Sequence, residues 1–377
     1  MIRSIKATLR PSAEQTNKKD WPDGYRIVIV APFPPPFGGM GIQAEQLYTL
    51  LDSNDIPVSK IYSNWKITGK FKFIENISGI RTLIHLIHFL KKVVAISSTK
   101  TIFHIFSNSF ASFFLWTGTC FIVCKLRGAP IIVNYRGGYA EQFLQYYRTI
   151  ALLILRNADK VIVPSRYLES IFAKYQISTQ IVPNIISDYL KPEKKMSGNS
   201  PQIIINRNFE PIYNVESGLY AFAKIQKYFP DAKLILIGDG SQRQKLETKV
   251  KELCLQNVVF TGQLQNHKVI QLLQSSDVMI NPTNVDNMPI SILEAMAVEL
   301  PIVSTNVGGV PFLLENEVDG ILVAKNDHNA LANATISILK SKELQTKLCD
   351  NASKKVEMYR WHNIQPLWVS HYLSLIK

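Results

Sequence analysis

The sequence predicts an α/β fold built from two doubly wound parallel sheets, and three observations predict it. Short runs rich in β-branched residues alternate with helical patterns along most of the chain, which is typical of parallel sheets covered by helices. The alternation restarts after a polar stretch at residues 191–200, which has the composition of a linker. Finally, 377 residues exceed the size of a comfortable single core, so two domains are expected.

The first series of elements begins at Arg26–Ala31, a short apolar run that predicts a buried parallel strand. A Pro-rich loop and a group of glycines follow it, and then comes a helical pattern over Ile42–Leu51. The series continues with predicted strands at Thr101–Phe106, Pro130–Asn134 and Lys160–Pro164, and with a predicted helix at Ala140–Arg156.

The second series repeats the same alternation after the linker. Its predicted strands are Gln202–Asn206, Lys233–Gly238, Val258–Thr261, Val278–Asn281 and Pro301–Thr305. Its predicted helices are Val215–Phe229, Gln242–Cys254, His267–Gln274, Ile290–Ala297 and Asn329–Lys340. Ligands of such sheets bind beyond the carboxyl ends of the strands, so the loops that follow these strands are where a site is expected.

The formal charge of +13 and the pI near 9.4 predict a surface that attracts anions. No zinc-finger spacing, basic heptad region or aromatic RNA-binding signature is found, so nucleic acid is not an expected partner. A diphosphate ligand or a membrane surface fits the charge better. The four cysteines form no Cys-x-x-Cys pair, and the N-terminus has no apolar core of signal-peptide length. Both features predict a cytoplasmic protein with reduced thiols.

One apolar stretch, Phe110–Cys124, is nearly uncharged. It is shorter than the roughly 20 residues that a membrane-spanning helix needs, so we expect a helix buried against a sheet. Together with Thr82–Ile96, which mixes apolar residues with histidines and lysines, it leaves room for peripheral membrane contact.

A glycine group follows the first strand. Gly38 and Gly39 begin a formal match to the dinucleotide pattern G-x-G-x-x-A. The match is not in the right place, because a Pro/Phe run separates it from the strand, and no acidic residue ends the next strand near Lys60–Tyr62. The glycines therefore either let backbone N–H groups approach a phosphate or sugar, or form a simple tight turn.

The clearest constellation of polar residues lies between Asp286 and Glu294. Pro289 suits the first turn of a helix, and Asn287 can cap it. The free N–H groups at Ile290 and Ser291, at the positive end of the helix dipole, predict a pyrophosphate site.

The two acids of this segment suit the two ends of one ligand. A carboxylate at Glu294 can accept two hydrogen bonds from a ribose diol, and Asp286 can do the same for sugar hydroxyls. The alternative is an ordinary loop acid at Asp286 and a solvated helix position at Glu294. The segment 301–311, a strand that leads into a glycine loop, follows one short helix later and favours the ligand site.

These residues resemble the donor-binding motif of retaining family 4 glycosyltransferases, which have the GT-B fold. In that family two acids lie eight positions apart around a helix start, and here they are Asp286 and Glu294. The stretches Leu293–Ala297, Pro301–Thr305 and Gly308–Pro311 are similar to those of the family, and the resemblance covers nearly the whole chain. It implies two Rossmann-like doubly wound domains that face each other across a cleft.

The resemblance also implies roles for individual residues. Glu294 would hold the ribose, Arg207 would contact the donor phosphates, and Gly38 and Gly39 would form the glycine loop at the cleft. The other residues implied in donor binding are Gly238 and Leu264, on the path of the base, and Asn287, Met288, Pro289, Ile290 and Ser291, at the helix start. Seen alone, Arg207 could equally be an exposed arginine at a strand end.

Three positions depart from the family pattern. Asp286 stands where glutamate is usual, and Ile212 stands at the spacing of a family lysine. Arg136 is the nearest counterpart of the usual histidine in the N-terminal domain. The expected catalytic residues are therefore Asp286, Arg136 and Arg207.

The resemblance divides the chain into regions. Residues 1–24 are expected to form a flexible tail, and 25–188 an acceptor-side domain onto which 360–377 pack back. Residues 200–358 are expected to form the nucleotide-sugar donor-binding domain.

The expected activity is metal-independent transfer of a sugar, with retention, from a nucleoside diphosphate sugar to an acceptor hydroxyl in polysaccharide or glycoconjugate synthesis. No cofactor is expected besides this donor substrate, and no metal, because the sequence has no Asp-x-Asp motif and no ligand set around its histidines. The acceptor is expected to be a saccharide or a lipid-linked saccharide, for a cytoplasmic protein that can associate with membranes. Two alternatives are a non-catalytic nucleotide-sugar-binding subunit and a GT-B-fold sugar-nucleotide epimerase.

Overall fold

The structure is a computed structural model that describes residues 21–35, 38–193 and 200–376. The chain forms two compact units. The first contains the described residues of Met1–Ile185 together with those of Trp361–Lys377, and the second is Ile186–Arg360. Most of the predicted linker, and residues 1–20 of the predicted tail, lie outside the described residues.

The first unit is built on a six-stranded parallel sheet in the order β2-β1-β3-β4-β5-β6. The strands are β1 (Arg26–Ala31), β2 (Val58–Tyr62), β3 (Thr101–Ser107), β4 (Ile131–Tyr135), β5 (Lys160–Val163) and β6 (Gln180–Ile181). Strands β3 and β4 are buried along their whole length, because helices cover both faces of the sheet.

Helices cover this sheet on its two faces. They are α1 (Gly39–Ser53), α2 (Ser78–Ile96), α3 (Phe110–Arg127), α4 (Ala140–Tyr146), α5 (Arg148–Asn157), α6 (Arg166–Ala173) and the C-terminal helix (Trp361–Leu373). One apolar core lies between the sheet and α2 to α6. A second core lies between the opposite face, α1 and the C-terminal helix.

The second unit has a six-stranded parallel sheet in the order β12-β11-β10-β7-β8-β9. Its strands are β7 (Gln202–Asn206), β8 (Lys233–Ile237), β9 (Val258–Gly262), β10 (Val278–Asn281), β11 (Ile302–Thr305) and β12 (Ile321–Val323). Its helices are α7 (Val215–Tyr228), α8 (Arg243–Glu252), α9 (Asn266–Ser275), α10 (Ile290–Ala297), α11 (Val310–Leu313), α12 (His328–Lys340) and α13 (Lys342–Val356). Apolar cores lie on both faces of the sheet.

Two Rossmann-like α/β units confirm the predicted fold class. Strands β1, β7 and β10 have the predicted bounds. One helix prediction is wrong, because the single helix expected over Ala140–Arg156 is two helices that break at Tyr147. Neither glycine nor proline stands at this break, so no local pattern indicates it.

The apolar stretch from Phe110 forms a helix that contains a π-helical turn. Phe113, Cys120 and Cys124 are fully buried against the sheet, but the opposite face of the helix is exposed. In the described part of the chain it is the one helix long and apolar enough to cross a membrane by length and composition, and 33% of that window is buried within the unit. The predicted burial against the sheet therefore holds for one face only.

The described end of the predicted tail belongs to the first unit's core. Trp21 is 8% exposed, and its indole N–H donates to the carbonyl oxygen of Tyr25 at 2.8 Å. Its ring lies 6.4 Å from that of Tyr372 on the C-terminal helix. Trp21 is thus packed in place, within the segment that the sequence predicted to be a flexible tail.

Candidate active site

Three neighbouring strands of the second unit end at one edge of its sheet. Strands β11, β10 and β7 lie side by side and run parallel. Asn206, Asn281 and Ser304 stand at or near their carboxyl ends, and Arg207 follows β7 directly. Because ligands of doubly wound sheets bind at this edge, it is the unit's candidate active site.

Arg207 is held in one orientation by three neighbours. Its Nε donates to Asn281 Oδ1 at 2.7 Å, and its Nη2 lies 2.6 Å from Asp286 Oδ2. The guanidinium carbon lies 5.2 Å from the centre of the Tyr213 ring. With 9% of its side-chain surface exposed, Arg207 is a fixed, nearly enclosed cation rather than the exposed arginine of the alternative interpretation.

Asn281 was missed by the sequence analysis as a site residue. It is fully buried, and its Nδ2 donates to Ser304 Oγ at 2.8 Å while its Oδ1 accepts from Arg207. The amide therefore ties the end of β11 to the guanidinium beyond β7. A polar residue directly after the apolar run of β10 is the only sequence signal that could have found it.

Asp286 lies in the loop before α10 and is held there by backbone N–H groups. Its Oδ1 accepts from the backbone N–H of Asn287 at 2.9 Å, and its carbonyl oxygen accepts from the N–H of Gly309 at 2.7 Å. Burial raises the pKa of Asp286, and the charge of Arg207 offsets part of that rise. The alternative of an ordinary exposed loop acid does not describe this carboxylate.

The glycine pair after β11 makes room for that loop. Gly308 has φ +54°, and a Cβ there would lie 2.3 Å from the carbonyl oxygen of Asp286. A Cβ on Gly309 would lie 1.6 Å from the carbonyl oxygen of Asn287. Only glycine at Gly309 lets the backbone of the two loops approach so closely. The glycine loop after the predicted strand therefore packs directly against the loop that carries Asp286.

Glu294 lies on a fully enclosed helix and not at a solvated position. It is 6% exposed, and Asn206 Nδ2 lies 3.5 Å from its Oε2. Burial raises the pKa of Glu294 to about 7, although the charge of Arg207 acts to lower it. Arg207 thus interacts electrostatically with both Asp286 and Glu294, which brings the three predicted residues together.

The start of α10 differs in detail from the prediction. Pro289 is the N-cap residue, with φ −66° and ψ 120°, and no side chain caps the helix, so the expected capping by Asn287 is wrong. The first-turn N–H groups of Ile290 and Ser291 have no partner within a helix. Ser291 Oγ is buried and makes no hydrogen bond to any residue that the structure describes. Donors are thus concentrated at this helix end.

Three other residues of the second unit were predicted to bind the donor, and the structure shows how each one packs: Met288, Gly238 and Leu264. Met288 is 8% exposed and its side chain belongs to the apolar core. Gly238 has φ +134°, and a Cβ there would lie 2.2 Å from the carbonyl oxygen of Arg207. Gly238 therefore packs directly under Arg207. Leu264 follows β9 and packs against the apolar core.

In the glycine group of the first unit, the glycine in tight contact with the backbone is Gly41 and not Gly38. Gly38 is the N-cap residue of α1, with open space where a Cβ would stand, and Gly39 begins the helix. A Cβ on Gly41 would instead lie 2.4 Å from the carbonyl oxygen of Pro32. Gly41 is thus the glycine that packing requires, and Gly38 and Gly39 stay predicted ligand-binding residues.

Arg136 lies in the first unit, whereas Arg207 and Asp286 lie in the second. Its Nε donates to Asn134 Oδ1 at 3.1 Å, and its Nη1 donates to Asn184 Oδ1. The guanidinium carbon lies 4.9 Å from the Phe106 ring centre. Burial lowers the pKa of Arg136 to about 9.

His104 continues this hydrogen-bond chain into the core. Asn134 Oδ1 must face Arg136, which has only donors, so Asn134 Nδ2 donates to His104 Nε2 at 2.9 Å. The histidine proton then resides on Nδ1 and is donated to Tyr372 Oη at 2.7 Å. Burial holds the pKa of His104 well below its usual range, so this histidine is neutral and has a structural role.

The histidines of α2 form a separate cluster. His85 Nε2 lies 3.0 Å from Glu75 Oε1, and the His88 ring stacks on Trp65 with 4.0 Å between centres. No group of three or more His, Cys, Asp or Glu residues that could hold a metal ion is found within residues 21–35, 38–193 and 200–376.

Two Rossmann-like units and a strand-edge site with a fixed arginine, two buried acids and an uncapped helix start define a protein of the GT-B class. The comparison with known families makes the assignment specific. Residues 188–355 match the model of glycosyl transferases group 1. The second unit of this chain thus carries a glycosyl transferases group 1 domain, which confirms the resemblance to GT-B glycosyltransferases; retention of configuration stays a prediction.

Known proteins similar to the chain include two curated glycosyltransferases. The N-acetyl-alpha-D-glucosaminyl L-malate synthase of Bacillus anthracis is 32% identical over 190 residues, which cover 50% of this chain and 49% of that protein. The UDP-Gal:alpha-D-GlcNAc-diphosphoundecaprenol alpha-1,3-galactosyltransferase of Escherichia coli is 26% identical over 259 residues, 61% of this chain and 66% of that protein. The chain thus spans about half the length of the first relative.

Solved structures agree on the fold. The sucrose-phosphate synthase from Thermosynechococcus elongatus has a TM-score of 0.76 with 20% sequence identity. The match covers 93% of this chain and 99% of that one. At this identity the likeness concerns the fold alone.

Proposed function

We propose that the protein transfers a glycosyl unit from a nucleoside diphosphate sugar to an acceptor hydroxyl, with retention of configuration and without a metal ion. The observation that carries the proposal is the meeting of Arg207, Asp286 and Glu294 at the carboxyl edge of the second unit's sheet. Membership of the second unit in the glycosyl transferases group 1 family supports it.

The donor diphosphate is proposed to bind between Arg207 and the start of α10. The N–H groups of Ile290 and Ser291 and the Ser291 hydroxyl supply hydrogen-bond donors, and the helix dipole adds positive potential. The charge of Arg207 stabilises the diphosphate as it leaves and the anomeric carbon gains oxocarbenium character. These groups are in place before the donor arrives, so they need little reorganisation during the reaction.

The two acids are proposed to hold the two ends of the donor. Glu294 accepts hydrogen bonds from the ribose hydroxyls, for which its ionised form is suited. Asp286 accepts from the sugar hydroxyls through the oxygen that is now paired with Arg207. Donor binding then exchanges one partner of the guanidinium, because the diphosphate replaces the carboxylate. The catalytic role expected of Arg136, which is to help orient the sugar, stays a prediction.

The acceptor class is proposed from the chemistry of the relatives. The Escherichia coli relative is named for a UDP-sugar donor and a saccharide linked to diphosphoundecaprenol, and the Bacillus anthracis relative is named for L-malate. We propose a saccharide or a lipid-linked saccharide as the acceptor, used in glycoconjugate or polysaccharide synthesis in the cytoplasm at or near a membrane.

A donor screen tests the activity. The purified chain is incubated with a panel of nucleoside diphosphate sugars, and mass spectrometry detects free nucleoside diphosphate and glycosylated products. We expect one donor to be consumed by the wild type, with unchanged rate in EDTA, and consumption to be lost in Arg207→Ala and Glu294→Ala. The control is Lys245→Ala, an exposed ion-pair residue of the same unit. Full activity in both site variants would refute the site assignment.

A second candidate is a nucleotide-sugar-binding subunit without transferase activity. The observation that favours it is the ion pair with Asp286, which occupies the phosphate-binding arginine, together with Ile212 at the position of the family lysine. Donor binding without nucleotide release would support this candidate. An isomerised donor without nucleotide release would indicate an epimerase instead.

A further inference from the structure

The outward face of three helices in the first unit is apolar. Leu83 and Ile87 lie on α2, Ile122 and Leu126 on α3, and Ile150 and Leu153 on α5; these six residues are termed the apolar face. They are between 45% and 82% exposed. Side chains three or four positions apart share one side of a helix, so each pair points away from its own core-facing residues.

The three helices are neighbours in one layer, so their exposed residues form one surface. They connect β2 to β3, β3 to β4 and β4 to β5, which are successive parallel crossovers on the same face of the sheet. The rings of Phe89 on α2 and Trp116 on α3 are 5.2 Å apart. A Cβ on Gly118 of α3 would lie 3.6 Å from Ile154 of α5.

Basic side chains accompany the apolar face. Exposed lysines and arginines stand at the ends of the same helices: Lys91 and Lys92 on α2, Lys125 and Arg127 on α3, and Arg148 and Arg156 on α5. Between residues 78 and 157 the sequence has one acidic residue, Glu141, and Asp159, just beyond this range, pairs with Lys125 at 3.1 Å. The surface is therefore apolar with a positive rim, whereas a surface evolved only for solubility would mix both signs of charge.

We propose that the apolar face lies on the surface of an anionic lipid bilayer, with its leucines and isoleucines among the acyl chains and its basic rim among the headgroups. Residues Phe113, Cys120 and Cys124 anchor the other side of α3 in the core, so this helix lies in the membrane plane and does not cross it. The proposal deepens the proposed function and rests on it for its purpose, since it would place the enzyme beside a lipid-linked acceptor.

The charge pattern favours lipid over a second copy of the chain. In a two-fold contact the same surface meets itself, so the excess positive charge on the rims of both copies would be brought together. An anionic bilayer instead supplies the opposite charge. A lipid bilayer and a second copy of the chain predict different results in flotation and sedimentation experiments.

Flotation of the full chain with vesicles tests the proposal without any enzymatic readout. We expect it to float with vesicles of phosphatidylglycerol and phosphatidylethanolamine, and to remain at the bottom with vesicles of phosphatidylcholine alone. The double variant Leu126→Glu with Leu153→Glu should lose flotation, and Leu126→Ser with Leu153→Ser should weaken it. Lys91→Glu with Lys92→Glu should reduce binding to the anionic vesicles.

The matched control is Tyr228→Glu, an exposed apolar residue of the second unit, which should float like the wild type. Circular dichroism melting establishes that each variant is folded. Flotation of the double glutamate variant, or failure of the wild type to bind anionic vesicles, would overturn the proposal. So would sedimentation that shows a dimer dissociated by the double variant. Flotation with no turnover of any donor would refute only the proposed function.

Discussion

Arg207 has one neutral partner and one charged partner, and this difference in charge affects how it can bind an anionic ligand. Asn281 accepts a hydrogen bond from Nε but carries no charge, so it orients the guanidinium without neutralising it. Asp286 pairs with Nη2 and does neutralise it. An incoming diphosphate can replace the carboxylate while the bond to Asn281 stays intact. Asn281 is therefore a positioning residue for the cation.

Asn281→Ala should weaken transition-state stabilisation more than substrate binding. It leaves a buried Nε–H of Arg207 without an acceptor and frees the guanidinium to turn. We expect kcat/KM for the donor to fall by about 10- to 100-fold. Steady-state kinetics should place most of the loss in kcat, and Asn281→Asp, which keeps the acceptor, should recover part of it. An equal rate in wild type and Asn281→Ala would contradict the positioning role, with Asn266→Ala on the surface as control.

Glu294 should make the stability of the ligand-free protein depend on pH. Its folded-state pKa of about 7 exceeds the ordinary value of 4.5, so the folded protein keeps this proton where the unfolded chain loses it. The contribution to the free energy of unfolding therefore falls as the pH rises from about 4.5 to 7, by at most about 3 kcal/mol, and is constant above that range.

Urea denaturation at about pH 5 and about pH 8 measures this effect. Glu294→Gln removes the titration, so the variant should equal the wild type near pH 5 and exceed its stability near pH 8. Identical pH profiles for the two proteins would show that the carboxyl group is not buried as described. In the wild type, donor affinity should rise with pH through about 7, because the ionised carboxylate is the better acceptor for the ribose hydroxyls.

Some site residues could be predicted from the sequence and others could not. Arg207 and Glu294 stand in local patterns, a strand end and a helix start, which can be identified along the chain. Asn281 and Gly41 act through contacts with residues far away in sequence or across a loop. Those contacts depend on strand order and on close backbone approach, which no local pattern specifies.

At the scale of elements, the loop before α10 and the glycine pair after β11 form one packed assembly. The carbonyl oxygens of Asp286 and Asn287 lie where side chains at Gly308 and Gly309 would stand. The N–H of Gly309 also donates to Asp286. The position of the helix start, and so of the N–H donors proposed to bind the phosphates, therefore depends on glycine two elements later.

Gly309→Ala should disrupt this assembly. Its methyl group would collide with the carbonyl oxygen of Asn287, at 1.6 Å in the undisturbed structure, so the loop and the start of α10 must shift. We expect donor turnover to fall below detection and the free energy of unfolding to fall by about 1–3 kcal/mol. Gly79→Ala is the matched control, since a Cβ there has no neighbour within 4 Å. Normal turnover in Gly309→Ala would refute the dependence.

The elements themselves were largely predictable from periodicity. Buried strands such as β1, β7 and β10 are compact β-branched runs, so their bounds were found from the sequence. The edge strands β6 and β12, with two and three residues, are too short to have a pattern of their own. The break at Tyr147 between α4 and α5 has no breaker residue, and tertiary packing decides it.

In the whole molecule, the function of the second unit can be predicted from sequence motifs better than that of the first. The family match covers residues 188–355 and so falls wholly within the second unit, Ile186–Arg360. The donor-side motifs there are dense and could be recognised from the sequence. The first unit shows a parallel sheet and an apolar, basic helix layer, but the loops that would select an acceptor have little pattern. Charge identifies anionic partners and cannot choose among them.

Calorimetric titration measures whether Arg207 and the start of α10 recognise the donor diphosphate. The nucleoside diphosphate that the donor screen selects is compared with its monophosphate, in the wild type and in Arg207→Ala. We expect the wild type to bind the diphosphate at least about tenfold more tightly, and this preference to vanish in the variant. An unchanged preference in Arg207→Ala would show that the diphosphate is held elsewhere and not by Arg207.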